Sequence, residues 1–164
     1  MLAYDSLYHS PRIHESANDG RWHHICVSWR SSDGVWLFYK DGSLHIHSRG
    51  LRRGYTIRAG GSLVLGQEQD SLGGSFDSSQ SFQGSLTNVN VWSYVLPAST
   101  IKSLSKSCLS GEGNVYKWSV FLHHQRKNRS CHSISLSSSQ FSGMINTRPQ
   151  THCVQSFLKN DPCK

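Results

Sequence analysis

No run of apolar residues in this chain approaches the roughly 18–20 that a membrane-crossing helix needs. The first ten residues, MLAYDSLYHS, have neither the basic start nor the apolar core of a secretory leader, so no signal peptide is visible. No two cysteines are spaced Cys-x-x-Cys and the ten histidines are scattered, which excludes the usual structural zinc patterns. No Gly-x-Ser-x-Gly elbow is present and no acid is matched to a Ser and a His, so a catalytic triad is not expected and the chain reads as a non-enzyme. Acid is scarce as well: 10 Asp and Glu stand against 17 Lys and Arg, a formal net charge of +7. The imbalance is uneven, because residues 1–118 hold eleven basic and nine acidic residues while residues 119–164 hold six and one. The basic character belongs mostly to the C-terminal part, and no nucleic-acid surface is expected from it.

What is there reads as one domain of chain with β character, 164 residues long. Residues 1–19 show no clear period and form an irregular lead-in. From Arg21 the runs WHHICVSW and VWLFYK are dense in aromatic and β-branched residues, with Asp33–Gly34 between them as a hairpin turn. Asp41–Gly42 marks a second turn before SLHIHS, where Leu44 and Ile46 alternate with His45 and His47. SLVLG at 62–66 reads as a short buried strand. In SLTNVNVWSYVL the alternation of Leu86, Val89, Val91 and Trp92 is looser, as in a strand near a bend. Pro97 opens PASTIKSLSKS, where Ile101 and Leu104 stand three apart, and one short helix is expected there. Residues 119–164 are Ser-rich without sustained period, a composition expected to leave much of the segment disordered.

The most informative segment is 66–84, GQEQDSLGGSFDSSQSFQG, which carries Glu68, Asp70 and Asp77 and no Lys or Arg. Three carboxylates in one turn repel one another unless a cation lies between them. Gln69 and Gln80 add amide oxygens, and Gly73–Gly74 lets the backbone fold back. Carboxylate and amide oxygens on such a loop suit a hard cation, and Ca2+ takes roughly 6–8 oxygen ligands. The spacing is not that of an EF-hand, since no acidic alternation leads to a Glu at its twelfth position.

The string GQEQDSLGGSFDSSQSFQGSLTNVNVW resembles the calcium-loop signature of the pentraxin family. RWHHICVSWRSSDGVWLFYKDG, LRRGYTIRAGGSLVLGQEQD, VLPASTIKSL and GNVYKW extend the resemblance over roughly residues 20–118. The resemblance implies an all-β fold, a flattened antiparallel jelly-roll sandwich of lectin-like, laminin-G-like type with one short helix. It also implies that the N-terminal third of the domain has no counterpart here, so that the fold is N-terminally incomplete. The corresponding division is a lead-in at 1–19, a partial pentraxin domain at 20–118 and a non-homologous tail at 119–164. By the same resemblance, Glu68, the backbone carbonyl of Gln69 and Asp70 would hold one Ca2+. Glu68, Asp70, Asp77 and Gln80 would hold a second. The first ion would be weakened, because the family's Asp/Asn pair from an earlier loop is missing.

Cys26 corresponds to a family disulfide cysteine, but no Cys precedes it, and a buried thiol is the expected state. Cys108 corresponds to a second family cysteine, with Cys131, Cys153 and Cys163 as open partners. His23–His24 and the pair His45 and His47 invite a metal reading, the latter two by sharing one strand face, although exposed strand histidines are commoner. Arg49, Arg52, Arg53 and Arg58 form a basic segment suited to sulfated sugars or anionic lipid, or to a solvated strand edge. Asn128-Arg129-Ser130 is a glycosylation sequon. The implied function is an extracellular, secreted or receptor-borne module that recognises anionic phosphate, carboxylate or sulfated glycan groups through loop-bound Ca2+. The partners implied are a small-molecule, glycan or lipid head-group ligand and a homo-oligomer, with no nucleic acid. The alternative is a structural or adhesion domain whose calcium loop is degenerate.

Overall fold

The computed structural model describes residues 16–17, 19–57, 60–67, 69–80, 82, 84–107, 111–119, 125–127, 132–135 and 151–159, the last three stretches as backbone. Two antiparallel sheets and one short helix make up these residues, so the fold is all-β as expected. The strands are β1 (His23–Arg30), β2 (Val35–Lys40), β3 (Ser43–Ser48), β4 (Val64–Leu65), β5 (Ser85–Trp92), β6 (Gln125–Lys127), β7 (His132–Ser135) and β8 (Thr151–Lys159). The helix, α1, spans Ala98–Leu104. One sheet is open and has the order β3-β2-β1-β8-β5; the other is β4-β7-β6.

The first three strands follow from local chemistry. Between β1 and β2 the amide of Gly34 closes on the carbonyl of Arg30 at 2.8 Å. Between β2 and β3, Asp41 (φ 51°) and Gly42 (φ 77°) both take positive φ, the two-residue turn whose twist matches that of a hairpin. A Cβ on Gly42 would also strike the Ser105 side chain, so this turn lies directly against the end of α1. Residues alternate faces along these strands. One face presents Cys26, Tyr39 and Trp92, which α1 covers through Ile101 and Leu104. The other gathers Trp29, Trp36 and Phe38 with Ile25, Val27, Ile46, Leu51 and Ile57. Trp29 donates its indole N–H to the carbonyl of Leu51 at 2.8 Å, so the buried ring keeps a polar partner.

Helix α1 starts directly after Pro97, whose ψ of 145° makes it the last extended residue. Pro97 cannot donate a hydrogen bond, yet its carbonyl accepts one from Ile101. Ile101 is fully buried beneath the helix.

Strand β8 comes from the Ser-rich segment 119–164, as do β6 and β7. It lies between β1 and β5, with Val154 in register with Val27 on one side and Val91 on the other. Without it, both neighbours would expose a row of backbone donors and acceptors. The far edge of β5 is covered too: Val91 exchanges backbone hydrogen bonds with Val115 and Tyr116 at 3.0–3.2 Å. The approach is so close that a Cβ on Gly113 would collide with the carbonyls of Tyr116 and Val91. Asn90, fully buried, fastens this contact from the side. Its Oδ1 accepts from the amides of Gly113 (3.1 Å) and Trp118 (3.2 Å), and its Nδ2 donates to the carbonyl (3.1 Å) and Oδ1 (2.8 Å) of Asn88. Asn88 itself has φ 52°, at the register shift between Thr87 and Asn90. The bend anticipated from the loose alternation of β5 is therefore a bulge.

At the start of β1, His23 sits between two carboxylates. Its Nδ1 meets Asp41 at 2.8 Å and its Nε2 meets Asp19 at 2.9 Å, so both ring nitrogens donate and the ring is an imidazolium. Asp41 also accepts the His24 amide at 2.9 Å, and Asp19 is forked by Arg21. The Asp41 and Asp19 hydrogen bonds raise the His23 pKa above 6.5 against the cost of burial. Asp19 is held well below its ordinary 3.8, first by His23 and then by Arg21. Partial burial of Asp41 opposes ionisation, but the bonds from His23 and the His24 amide, with the charges of His23 and Lys40, outweigh it and lower its pKa.

Two expectations follow. Val154→Pro removes a backbone donor from the middle of a sheet and leaves its partner carbonyl unpaired, at a cost of about 1–3 kcal/mol. For a chain of this size that is a fall of roughly 2–12 °C in Tm by calorimetry, whereas an unchanged Tm would remove β8 from the centre of the sheet. The second concerns pH. His23 contributes fully below its unfolded value of 6.5 and loses that contribution as pH rises through its raised folded value. Asp19 and Asp41 contribute fully above 3.8 and lose their share on acidification. The stability difference between the wild type and His23→Gln should be largest between about pH 4 and 6.5 and shrink on either side; a flat difference in pH-dependent melts contradicts the clamp.

Candidate functional site

The acidic loop leaves the three-stranded sheet at β4 and enters the five-stranded sheet at β5. Leu63 and Leu65 around β4 pack against Val89 and Val91 of β5, so the two ends of the loop are tied through one apolar cluster. The loop neck is closed by the Phe82 amide donating to the carbonyl of Gly66 at 2.8 Å. β4 is half-buried rather than fully buried, and its two residues pair with β7.

Inside that neck the amide side chains are structural. Gln69 donates through Nε2 to the Ser62 carbonyl at 3.0 Å and accepts the Gly73 amide on Oε1 at 2.8 Å, which folds the tip back. Gln67 donates to the carbonyl of Asp77 across the loop. At the tip, Ser71 and Gly74 form a backbone bridge and the hydroxyls of Ser71 and Ser75 lie 2.9 Å apart. A 3-10 turn follows at Ser78–Gln80. Asp77 caps it, since its Oδ1 accepts both the amide and the hydroxyl of Ser79 at 2.8 Å, and these two bonds lower its pKa.

The expected ligand residues are therefore placed unequally. Asp70 is exposed and makes no hydrogen bond or ion pair among the described residues. Asp77 has one oxygen engaged by Ser79 and the other unengaged. Gln80 is exposed on the 3-10 turn, and Gln69 has its side chain committed, which leaves its backbone carbonyl as the donor the resemblance requires. Glu68 lies outside the described residues, and so do Cys108 and Asn128. Among the described residues, no three His, Cys, Asp or Glu side chains gather as a metal-holding group. The donor chemistry nevertheless fits a hard cation, because every available group is oxygen and no cationic side chain is in the loop. Leu72 and Phe76 stand exposed beside these acids.

Other candidates resolve differently. Cys26 is a buried thiol in the cluster under α1, so the family's bridge at this position is not formed. His23 is a carboxylate-clamped structural residue, which sequence reading missed because Asp41 is distant in the chain. His45 and His47 do not share a face: a register shift at Phe38/Tyr39 turns His45 edge-on to Phe38, while His47 pairs with Leu37 on the opposite face. The basic segment is divided, with Arg52 stacked over Tyr55 at 5.7 Å and Arg58 outside the described residues. No helix among the described residues is long and apolar enough to cross a membrane.

Comparison with known proteins gives the same direction as the loop. The Pentaxin family profile matches residues 8–131, wider at both ends than the stretch 20–118. The rat (Rattus norvegicus) sushi, von Willebrand factor type A, EGF and pentraxin domain-containing protein 1 is 47% identical over 109 residues, 65% of this chain and 3% of that protein. Rat neuronal pentraxin-1 is 46% identical over 103 residues, 62% of this chain and 24% of the relative. Neuronal pentraxin-2 of Homo sapiens is 42% identical over 101 residues, 62% of this chain and 23% of the relative. The matched stretch thus spans less than a quarter of each of these three relatives. With three quarters of its length inside the family profile, the chain belongs to the pentaxin family.

Proposed function

We propose that the chain is a calcium-dependent extracellular binding module rather than an enzyme, and that loop 66–84 is its site. One observation carries the reading. Gln67, Gln69, Ser71, Ser75 and Ser79 make hydrogen bonds that shape the loop, while Asp70 and one oxygen of Asp77 are left as carboxylate oxygen with no hydrogen bond or ion pair among the described residues. A loop built this way has its conformation set and its charge unbalanced. Glu68, the Gln69 carbonyl and Asp70 would hold one Ca2+, and Glu68, Asp70, Asp77 and Gln80 a second. Bound calcium supplies neutralisation and open coordination positions for the anionic oxygens of a phosphate, carboxylate or sulfated glycan. The role of the protein is to hold the oxygens in place: Gln69 anchors the tip, Ser79 orients Asp77, and the Phe82–Gly66 bond keeps the neck shut.

A second reading, assembly or adhesion with a degenerate loop, draws on a relative of many domain types, in which the matched stretch is 3% of the length. In that case a homo-oligomer would form irrespective of calcium.

Calcium that binds only the folded state raises stability by about 2.7 kcal/mol at a hundred times its Kd. The wild-type Tm should therefore rise by several degrees between EDTA and excess Ca2+, and Asp70→Ala should remove most of that rise without lowering the Tm in EDTA. Identical melts of the wild type in EDTA and calcium would sink the proposal. The assembly reading is tested separately by sedimentation: a discrete oligomer of the same size in EDTA and calcium supports it, and a monomer in both removes it.

A further inference from the structure

We infer a second, calcium-independent site on the face that carries α1, a cleft for a small organic anion with an aliphatic body. The cleft has a volume of about 320 Å3 and is lined by Ser28, Arg30, Val35, Leu37, Leu44, His47, Arg49 and Val95. Volumes of about 300–1,000 Å3 are those of small-molecule sites.

Its chemistry follows from the register. Ser28, Leu37 and His47 lie in one cross-strand row, and Arg30 pairs with Val35 in the next, with Arg49 just beyond the end of β3. Neighbouring strands are about 4.8 Å apart, so a cation rises on each side of an apolar strip one strand wide. The floor is aliphatic, from Val35, Leu37, Leu44 and Val95, and Leu44 is 49% exposed. The rim is cationic, and no carboxylate lines it among the described residues. Asp33 holds Arg30 by a fork of 2.6–3.1 Å, which fixes that guanidinium in place and takes up part of its charge. Arg49 and His47 are exposed, and their side chains make no hydrogen bond or ion pair among the described residues. The bulge that separates His45 from His47 is what leaves His47 on this side.

An inorganic anion would use the rim and leave the floor wet, whereas a neutral hydrocarbon would use the floor and leave the cations unpaired. Only a ligand with both parts, one carboxylate or sulfate on a short apolar chain, satisfies both. Arg49 is the principal anion ligand, since its guanidinium can meet two oxygens at once.

The test is titration calorimetry on the full chain in EDTA with octyl sulfate and octanoate, each below its micelle concentration. One molecule per chain is expected to bind, with affinity falling as salt rises, and the tighter of the two probes separates sulfate from carboxylate as the natural head. Arg49→Gln should weaken binding about tenfold, and Leu44→Gln several-fold. Both positions are on the surface, so an unchanged Tm certifies each variant as folded. Inorganic sulfate and octanol should each bind at least tenfold more weakly than octyl sulfate. Equal affinity for either control, or an unchanged affinity in Arg49→Gln, overturns the inference. Binding seen only with added Ca2+ also overturns it, by assigning the probe to loop 66–84, and leaves the calcium proposal standing.

Discussion

The rest of the structure depends on the backbone of β5, which must be paired along both edges. β8 supplies one edge and residues 113–118 the other, with the buried Asn90 joining the second to the strand. Each of the two amides that Asn90 accepts would cost about 1–3 kcal/mol if buried unpaired, so this side chain is worth more than its single position suggests. With β5 held, Val89 and Val91 present a fixed apolar surface to Leu63 and Leu65. The loop between those residues then starts and ends at set positions. Loop geometry here is a consequence of sheet pairing.

That arrangement gives the loop an unusual division of labour. The side chains of Gln67, Gln69, Ser71, Ser75 and Ser79, none of them charged, shape the loop by hydrogen bonds, Gln69 reaching back to Ser62 and Ser79 meeting the Asp77 carboxylate. Charge is left to Glu68, Asp70 and Asp77, and the loop contains no Lys or Arg to balance it. The contrast with the Asp19–His23–Asp41 cluster is instructive, because there the chain brings its own cations to its carboxylates. The cleft beside α1 shows the converse, a cationic rim in which Arg30 is paired with Asp33 and Arg49 has no ion pair among the described residues. Opposite charges are thus presented at separate places.

Much of this was legible in the sequence where the cause is local. Asp33–Gly34 and Asp41–Gly42 announced two hairpins, and Pro97 with Ile101 and Leu104 announced α1. The loop was legible because its acids, amides and glycines are contiguous and because the family signature lies across them. Strand β8 was not, since nine residues in a Ser-rich stretch carry a weak signal and their pairing is set by the open edges of β1 and β5 far upstream. The His45 and His47 reading assumed an uninterrupted alternation, and a one-residue bulge reversed it. The His23 clamp and the Asn90 junction join residues 18 and 23 positions apart, beyond the reach of spacing arguments.

The central claim is that the loop is a preformed oxygen-rich shell whose charge calls for a dication. The most direct measurement is an NMR titration of backbone amides with Ca2+ and, separately, Mg2+. Saturable shifts confined to residues 66–84, produced by Ca2+ at much lower concentration than by Mg2+, are the predicted result. Amides of that loop unmoved at millimolar Ca2+, in a sample whose β1, β2 and β5 resonances report a folded sheet, would contradict it.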